Sequence, residues 1–470
     1  MTWDITLPAS SQTEIQNILN GMGPNSTLIE IQNDIVLTSE LDIHNGRTVG
    51  FTSESGNKFF LSGDNQHRII RIITDAVNVT TVYIGNIILK DGMTPQDGGA
   101  IYSTSPGTAH LIIDEGAVFD GNHAMNGGAI SIEKGCVTME GGTILSNHAT
   151  GSGGGIHLGV TGMAPCDQAV FIMSGGEIAR NTAVLGGGGI YEGNAGELVK
   201  ISGGRFFENN CADSGGGMYV TNLEMTGGEV NENVADNAGG GIYLAGTGII
   251  NGLSDNRPIT IYRNRAVVKG GGIALADEQA STLSIGGRVE MMYNVTDGIG
   301  GGAIWIEHSK LADLTVGPSV IFRGNRAPTG YALRFPADDA VYYANIHATV
   351  WTSPYMQGYN NFDISYIGRN PEPEPGCTAT GEQMADVCLP VEVKPFANVG
   401  TISTRCCGPA RITSGTDTCE GTPDGNCNFT ISQRICVEVP VEFGAEVTPG
   451  EVHVGCTGND CTNCQVQGEE

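Results

Sequence analysis

Positive charge is scarce in this chain: 23 Lys and Arg stand against 51 Asp and Glu, a net charge of −28 over 470 residues. That balance argues against nucleic acid as a partner, because phosphate contacts need a Lys/Arg surface. It equally opposes docking on an anionic membrane. A charge of this size keeps a long particle soluble, and no calcium-loop motif points to divalent-cation binding by the carboxylates. Aromatics are sparse as well, at 6% with three Trp, and only 16% of residues are charged. Stacked turns suit that composition better than a globular enzyme does. No run approaches 18 consecutive apolar residues, so no membrane insertion is expected. The segment Met1 to Pro8 lacks both a basic and an apolar stretch and does not read as a secretion signal.

Glycine is what the chain has instead, 71 residues of it. Between positions 122 and 325 an Asn followed two residues later by a small residue recurs at Asn122, Asn147, Asn181, Asn210, Asn233, Asn264, Asn294 and Asn325. All but the last precede a glycine turn that feeds an apolar residue, as in Gly128-Ala129-Ile130, Gly188-Gly189-Ile190 and Gly302-Ala303-Ile304. The intervals of 25, 34, 29, 23, 31, 30 and 31 residues are those of a solenoid with fixed turns and slack elsewhere. Each repeat divides into three short strands, which predicts a three-sided parallel coil. Rungs stacked about 4.8 Å apart then give about 10–11 rungs and a rod on the order of 50 Å long. Glycine pairs permit positive φ at the corners. An Asn at the same corner of every rung can bond its neighbours above and below and fix the register.

The flanks read differently. An amphipathic turn at Ile15, Ile18, Leu19 and Met22 suggests an N-terminal cap over 1–26, with the parallel coil running over 27–333. An aromatic-rich stretch over 334–369 is expected to cap the other end. A Pro-rich linker over 370–376 follows. Residues 377–470 form a compositionally distinct, Cys-rich module of alternating strands, expected to be small and β-sandwich-like. The fold class is therefore all-β.

On the glycine turns and the Asn-x-Ala motifs, the chain resembles the right-handed parallel β-helix repeat superfamily over about 91–333. Within that superfamily it resembles the repeats of polymorphic outer-membrane and adhesin-like surface proteins, although no C-terminal membrane β-barrel accompanies them. The module around Cys406-Cys407 and Gln433-Arg434-Ile435-Cys436 is similar to modules in surface proteins of spore-forming Firmicutes. That similarity implies a cell- or spore-surface location, with partners among other copies of the chain or surface-layer proteins, and assembly without secretion.

Two groups of residues could carry function. Ten of the 13 cysteines fall between Cys377 and Cys464, a disulfide scaffold in a small module. Their total is odd, and the tail with Cys456, Cys461 and Cys464 is the natural place for an intermolecular bridge. Zinc at Cys461-Thr462-Asn463-Cys464 lacks a second C-x-x-C at ribbon spacing, so no metal is assigned. The strand after each glycine turn has inward apolar flanks, which turns its middle residue outward. Tyr102, His157, Tyr191, Tyr219, Tyr243 and Trp305 occupy that position, with Ser131 and Ala274 among them. An exposed aromatic stripe is expected, serving self-stacking, coverage by a cap or another chain, or a glycan platform. Glu133, Glu192, Glu307, Asp338 and Asp339 are scattered without the paired carboxylates of a glycosidase. His123 and His148 share one repeat position but are only two. No catalytic residue and no cofactor is assigned. The sequence points to a non-enzymatic surface or structural protein of a spore coat, exosporium or appendage. A carbohydrate-binding adhesin or polysaccharide-degrading enzyme is the alternative.

Overall fold

The computed structural model describes residues 2–328, with breaks at 24, 45, 105, 160–168, 195, 254–256, 278–279 and 299–300. It also describes 350–351, 363–365 and strand segments between 391 and 449. The chain divides into two units, Met1–Glu372 and Pro373–Glu470.

The first unit is a right-handed parallel β-helix. Two of its faces are twelve-stranded and one is eleven-stranded, all parallel. The first face runs from Ile5–Ala9 to Leu314–Val316, the second from Ile35–Val36 to Val350–Trp351, and the third from Leu41–His44 to Ile364–Ser365. A fourth, seven-stranded sheet of two-residue strands runs from His123–Ala124 to Val295–Thr296. It adds a short fourth strand to seven of the three-strand rungs. The two residues after each ladder Asn stay extended long enough to pair with the same two of the next rung, as His123 with His148 and Ala124 with Ala149.

Alternation builds the core. Along the first face, inward pairs such as Ile29/Ile31, Val49/Phe51, Leu111/Ile113 and Val137/Met139 are sealed from water. Phe119, Phe206 and Phe322 do the same on the second face. Each such side chain contributes about 1.5–3 kcal/mol by leaving water. Burial in a rod is local, so stability accumulates rung by rung.

The N-terminal end is closed by the helix Gln12–Gly21. Ser11 caps it through the Glu14 amide (3.3 Å), and the Glu14 carboxylate accepts from the Ser10 amide (2.7 Å), a reciprocal arrangement that satisfies two free N–H groups. Ile15 and Leu19, one turn apart, are buried on the first rung. The expected cap also supplies a rung strand, because Ile5–Ala9 stacks in parallel on Thr27–Ile31. The stretch 334–369 lies almost entirely outside the described residues, and of its aromatics none of Phe335, Tyr342, Tyr343, Tyr355, Tyr359, Phe362 or Tyr366 is described.

In the second unit the described strands pair two by two in antiparallel fashion, Val391–Val399 with Val441–Pro449, Ser403–Cys406 with Ile435–Glu438, and Arg411–Ser414 with Phe429–Ser432. The pairs are nested in sequence, one inside the next.

Candidate functional site

The corner ladder comes first, because it sets the spacing of everything outside it. Asn147 shows the pattern: its Oδ1 accepts from the backbone N–H and the side-chain amide of Asn122, both at 2.9 Å. Its own amide donates to the Phe119 carbonyl (3.1 Å) and to Asn181 Oδ1 (2.9 Å). The same set of bonds passes through Asn181, Asn209, Asn233, Asn264, Asn294 and Asn325, all buried. At the far end, Asn325 donates to the carboxylate of Asp363 (2.7 Å), which has no amide with which to pass the pattern on.

One ladder position corrects the sequence reading. The ladder runs through Asn209, and Asn210 is an exposed residue of the short corner strand. The repeat motif sets a small residue two places after Asn, and Ala212 fits that rule for Asn210. The buried small residue of this rung is in fact Cys211, aligned between Ala183 and Ala235. Burial pushes the Cys211 thiol up to about 12, so it behaves as a small apolar filler.

A second corner feature had no signal in composition. The residue before each ladder Asn has positive φ at nine successive corners: Asp91, Gly121, Ser146, Arg180, Glu208, Glu232, Arg263, Tyr293 and Gly324. Asp91 precedes Gly92, whose amide donates to Asn122 Oδ1. Seven of the nine are not glycine, a conformation that L residues adopt at a cost of about 1–2 kcal/mol each. The ladder hydrogen bonds hold them there.

The aromatic row sits on the third face, outside the core as expected, yet it is not an open stripe. His157 stacks on Tyr191 (centroids 5.5 Å apart, 2° between planes), Tyr191 lies 4.9 Å from Tyr219, and Tyr219 stacks on Tyr243 at 4.7 Å. These four are half-buried, whereas Ser131, Ala274 and Trp305 are buried outright. At Tyr191 the feeding glycine loop and the residue just past the strand both lie against the ring. A Cβ on Gly186 would lie 3.0 Å from the Tyr191 ring, and one on Gly193 would meet its hydroxyl at 2.4 Å. The turn glycines are required for the same reason. Gly187 has φ +61°, and a Cβ on Gly188 would sit 2.3 Å from the carbonyl oxygen of Gly216 in the next rung.

Polar groups gather at both ends of the row. At one end Tyr102 hydrogen-bonds Glu133, and the Arg68 guanidinium lies 4.8 Å over its ring. Burial, and then the bond to Glu133, holds the Tyr102 phenol protonated. His157 Nδ1 is 3.4 Å from Ser131 Oγ, and burial lowers the pKa of the ring. This Ser–His contact has the composition of a nucleophile and base, but Ser131 is sealed beneath the row, where no substrate carbonyl reaches it. At the other end Trp305 donates from Nε1 to Asp277 (3.1 Å), with Lys269 Nζ 5.2 Å from the ring centre.

Glu192, one of the scattered acids, is fully buried. It takes the inward position held in the preceding rung by Leu158. Its carboxylate accepts from the amides of Thr221 (3.0 Å) and Asn194 (2.5 Å). Burial raises its pKa to about 7 despite those bonds. Among the described residues, no three or more His, Cys, Asp or Glu gather to hold a metal ion, and no helix is long and apolar enough to cross a membrane. Cys136 is disulfide-bonded. Cys456, Cys461 and Cys464 lie outside the described residues, as do Asp338 and Asp339. Compared with known proteins, the chain matches no family model, no curated protein and no solved structure.

Proposed function

We propose that this chain is a non-enzymatic structural protein of a cell or spore surface, in which a rigid β-helix rod is fixed or cross-linked through its Cys-rich module. The observation that carries this reading is the self-directed use of the rod's polar and aromatic side chains. The corner asparagines bond each other, the rings of the outer row stack on each other, and the turn backbones cover both. A scaffold needs such internal engagement, since it resists local opening over the whole length. The crowding of ten cysteines into the last 94 residues, with an odd total of 13, supports covalent attachment to another chain. The likeness of that module to those of spore-forming Firmicutes surface proteins, and of the repeats to adhesin-like surface proteins, agrees with the location. The partners are further copies of the chain or surface-layer proteins.

The test is electrophoresis of the oxidised full chain with and without reductant, with peptide mapping of the bridges. Disulfide-linked ladders that collapse on reduction are expected. A clean monomer carrying internal bridges alone would overturn the cross-linking. A glycan-binding reading keeps one observation on its side, the part exposure of Tyr191, Tyr219 and Tyr243. Glycan-array binding that disappears in Tyr219→Ala/Tyr243→Ala would establish it in place of the scaffold.

A further inference from the structure

The short corner sheet places a separate set of side chains in register on the outside of the rod. Met93 bridges His123 in parallel, His123 pairs with His148, and His148 pairs with Thr182. Successive members of this row are therefore one rung apart, about 4.8 Å. The two imidazoles meet edge to face, with centroids 4.5 Å apart and 63° between planes. Both are half-buried, and Met93 is 41% exposed. Solvent thus reaches the row while the rung backbone holds its spacing.

His148 is further constrained. Its Nδ1 lies 2.6 Å from Thr182 Oγ1, which fixes the ring plane. When Nδ1 donates that bond, the lone pair is on Nε2, away from Thr182. A metal-binding histidine characteristically has its second nitrogen held in this way.

We propose that His123 and His148 bind a late first-row transition-metal ion, Cu2+ in particular, with the Met93 thioether as a weak third contact and Thr182 as the residue that positions His148. Metal–imidazole bonds of about 2.0–2.1 Å require the two nitrogens about 3 Å apart at neighbouring coordination positions of a tetragonal site. With His148 held by Thr182, the adjustment the site needs is a rotation of the His123 ring about its side-chain bonds, from centroids 4.5 Å apart. Cu2+ is favoured over the other divalent ions by its place at the top of the affinity order, and a weak axial thioether suits copper. Water fills the remaining positions, so the ion is accessible from outside the rod. The proposal is independent of the scaffold reading, because it uses no residue of the aromatic row or the Cys-rich module.

The experiment titrates the full chain with Cu2+ after alkylation of its accessible thiols. Electron spin-echo modulation then counts the coordinated imidazoles. Wild type is expected to show one ion with two imidazoles. His123→Gln and His148→Gln each should show one imidazole and an affinity at least about tenfold lower. Thr182→Val should keep two imidazoles and lose about tenfold in affinity, a split that a merely structural role would not produce. Met93→Leu should keep two imidazoles and bind more weakly. A two-imidazole spectrum that survives in His123→Gln/His148→Gln would overturn the site, as would an unchanged affinity in both single variants. Circular dichroism melts confirm folding; should one His variant melt early, the other and Met93→Leu carry the same decision.

Discussion

At the residue scale, the two neighbouring asparagines Asn209 and Asn210 separate what a motif shows from what a fold uses. Both fit an Asn-rich corner, and only Asn209 lies in the ladder. Truncating a ladder Asn strands the donors of the Asn before it and takes a donor from the acceptors it serves. In Asn233→Ala, the amide N–H and side-chain amide of Asn209 lose their acceptor, and the Phe206 carbonyl loses its donor. At about 1–3 kcal/mol for each stranded group, partly relieved by relaxation, a loss of roughly 3–5 kcal/mol is expected. Asn210→Ala removes an exposed side chain and should change stability by less than about 0.5 kcal/mol. Urea unfolding of the two variants checks the contrast, and comparable losses would place Asn210 in the ladder after all. Glu192 offers a pH test. Its folded pKa of about 7 stands above the ordinary carboxylate value of 4.5, so the folded state holds this proton more tightly than the unfolded one. Its favourable contribution is therefore present below about pH 4.5 and is lost as pH rises through 7. The change amounts to on the order of 3 kcal/mol. Glu192→Gln should be more stable than wild type at pH 8, with the gap closing towards pH 5. Equal melting temperatures of the two proteins at pH 8 would refute a strained ionised carboxylate.

At the scale of the element, glycine and non-glycine corners obey different constraints. Ser146 has φ 57° and carries a side chain in a region that disfavours it, whereas a Cβ on Gly188 collides with the Gly216 carbonyl at 2.3 Å. Ser146→Gly should therefore stabilise the rod by about 0.5–1 kcal/mol. Gly188→Ala should destabilise it by roughly 3 kcal/mol or more, because the clash is with backbone that two rungs hold in place. Thermal melts moving in opposite directions are the expected result; a neutral Gly188→Ala would mean that the rungs can slide apart at this corner. These corners also show which parts of the fold were legible. The Gly-Gly turns announce themselves because only glycine fits there. The row of left-handed corner residues is written in Ser, Arg, Glu and Tyr, types that carry no turn signal of their own. Their conformation comes from the Asn that follows, so it is readable only once the ladder is in place. The fourth sheet escaped notice for a related reason, since a two-residue strand has no periodicity to detect.

At the scale of the whole molecule, parallel alternation made the rod readable and left its surface misread. Period-two alternation tells core from exterior, and the inward and outward assignments of Ile130, Ile156 and Tyr191 follow from it directly. It says nothing of what lies against the exterior, and Gly186, which packs on the Tyr191 ring, comes from five positions upstream. Glu192 obeys the same rule against its charge: alternation with Ile190 places it inward, where it is buried. The rod's one-dimensional construction has a further consequence. Each rung touches only its neighbours, so damage at one corner should open adjacent rungs and leave distant ones closed. In Asn264→Ala the amides of Asn233 and Val295, bonded to Asn264 Oδ1 and to the Asn264 carbonyl, sit in the affected rungs. Those of Val49 and Phe51 lie on the first face near the helical cap. Native-state hydrogen exchange should show faster exchange over about 230–300 and unchanged protection around 49–51. Uniform acceleration along the chain would mean that the rod opens as one cooperative unit, and a scaffold of that kind would fail all at once under a single lesion.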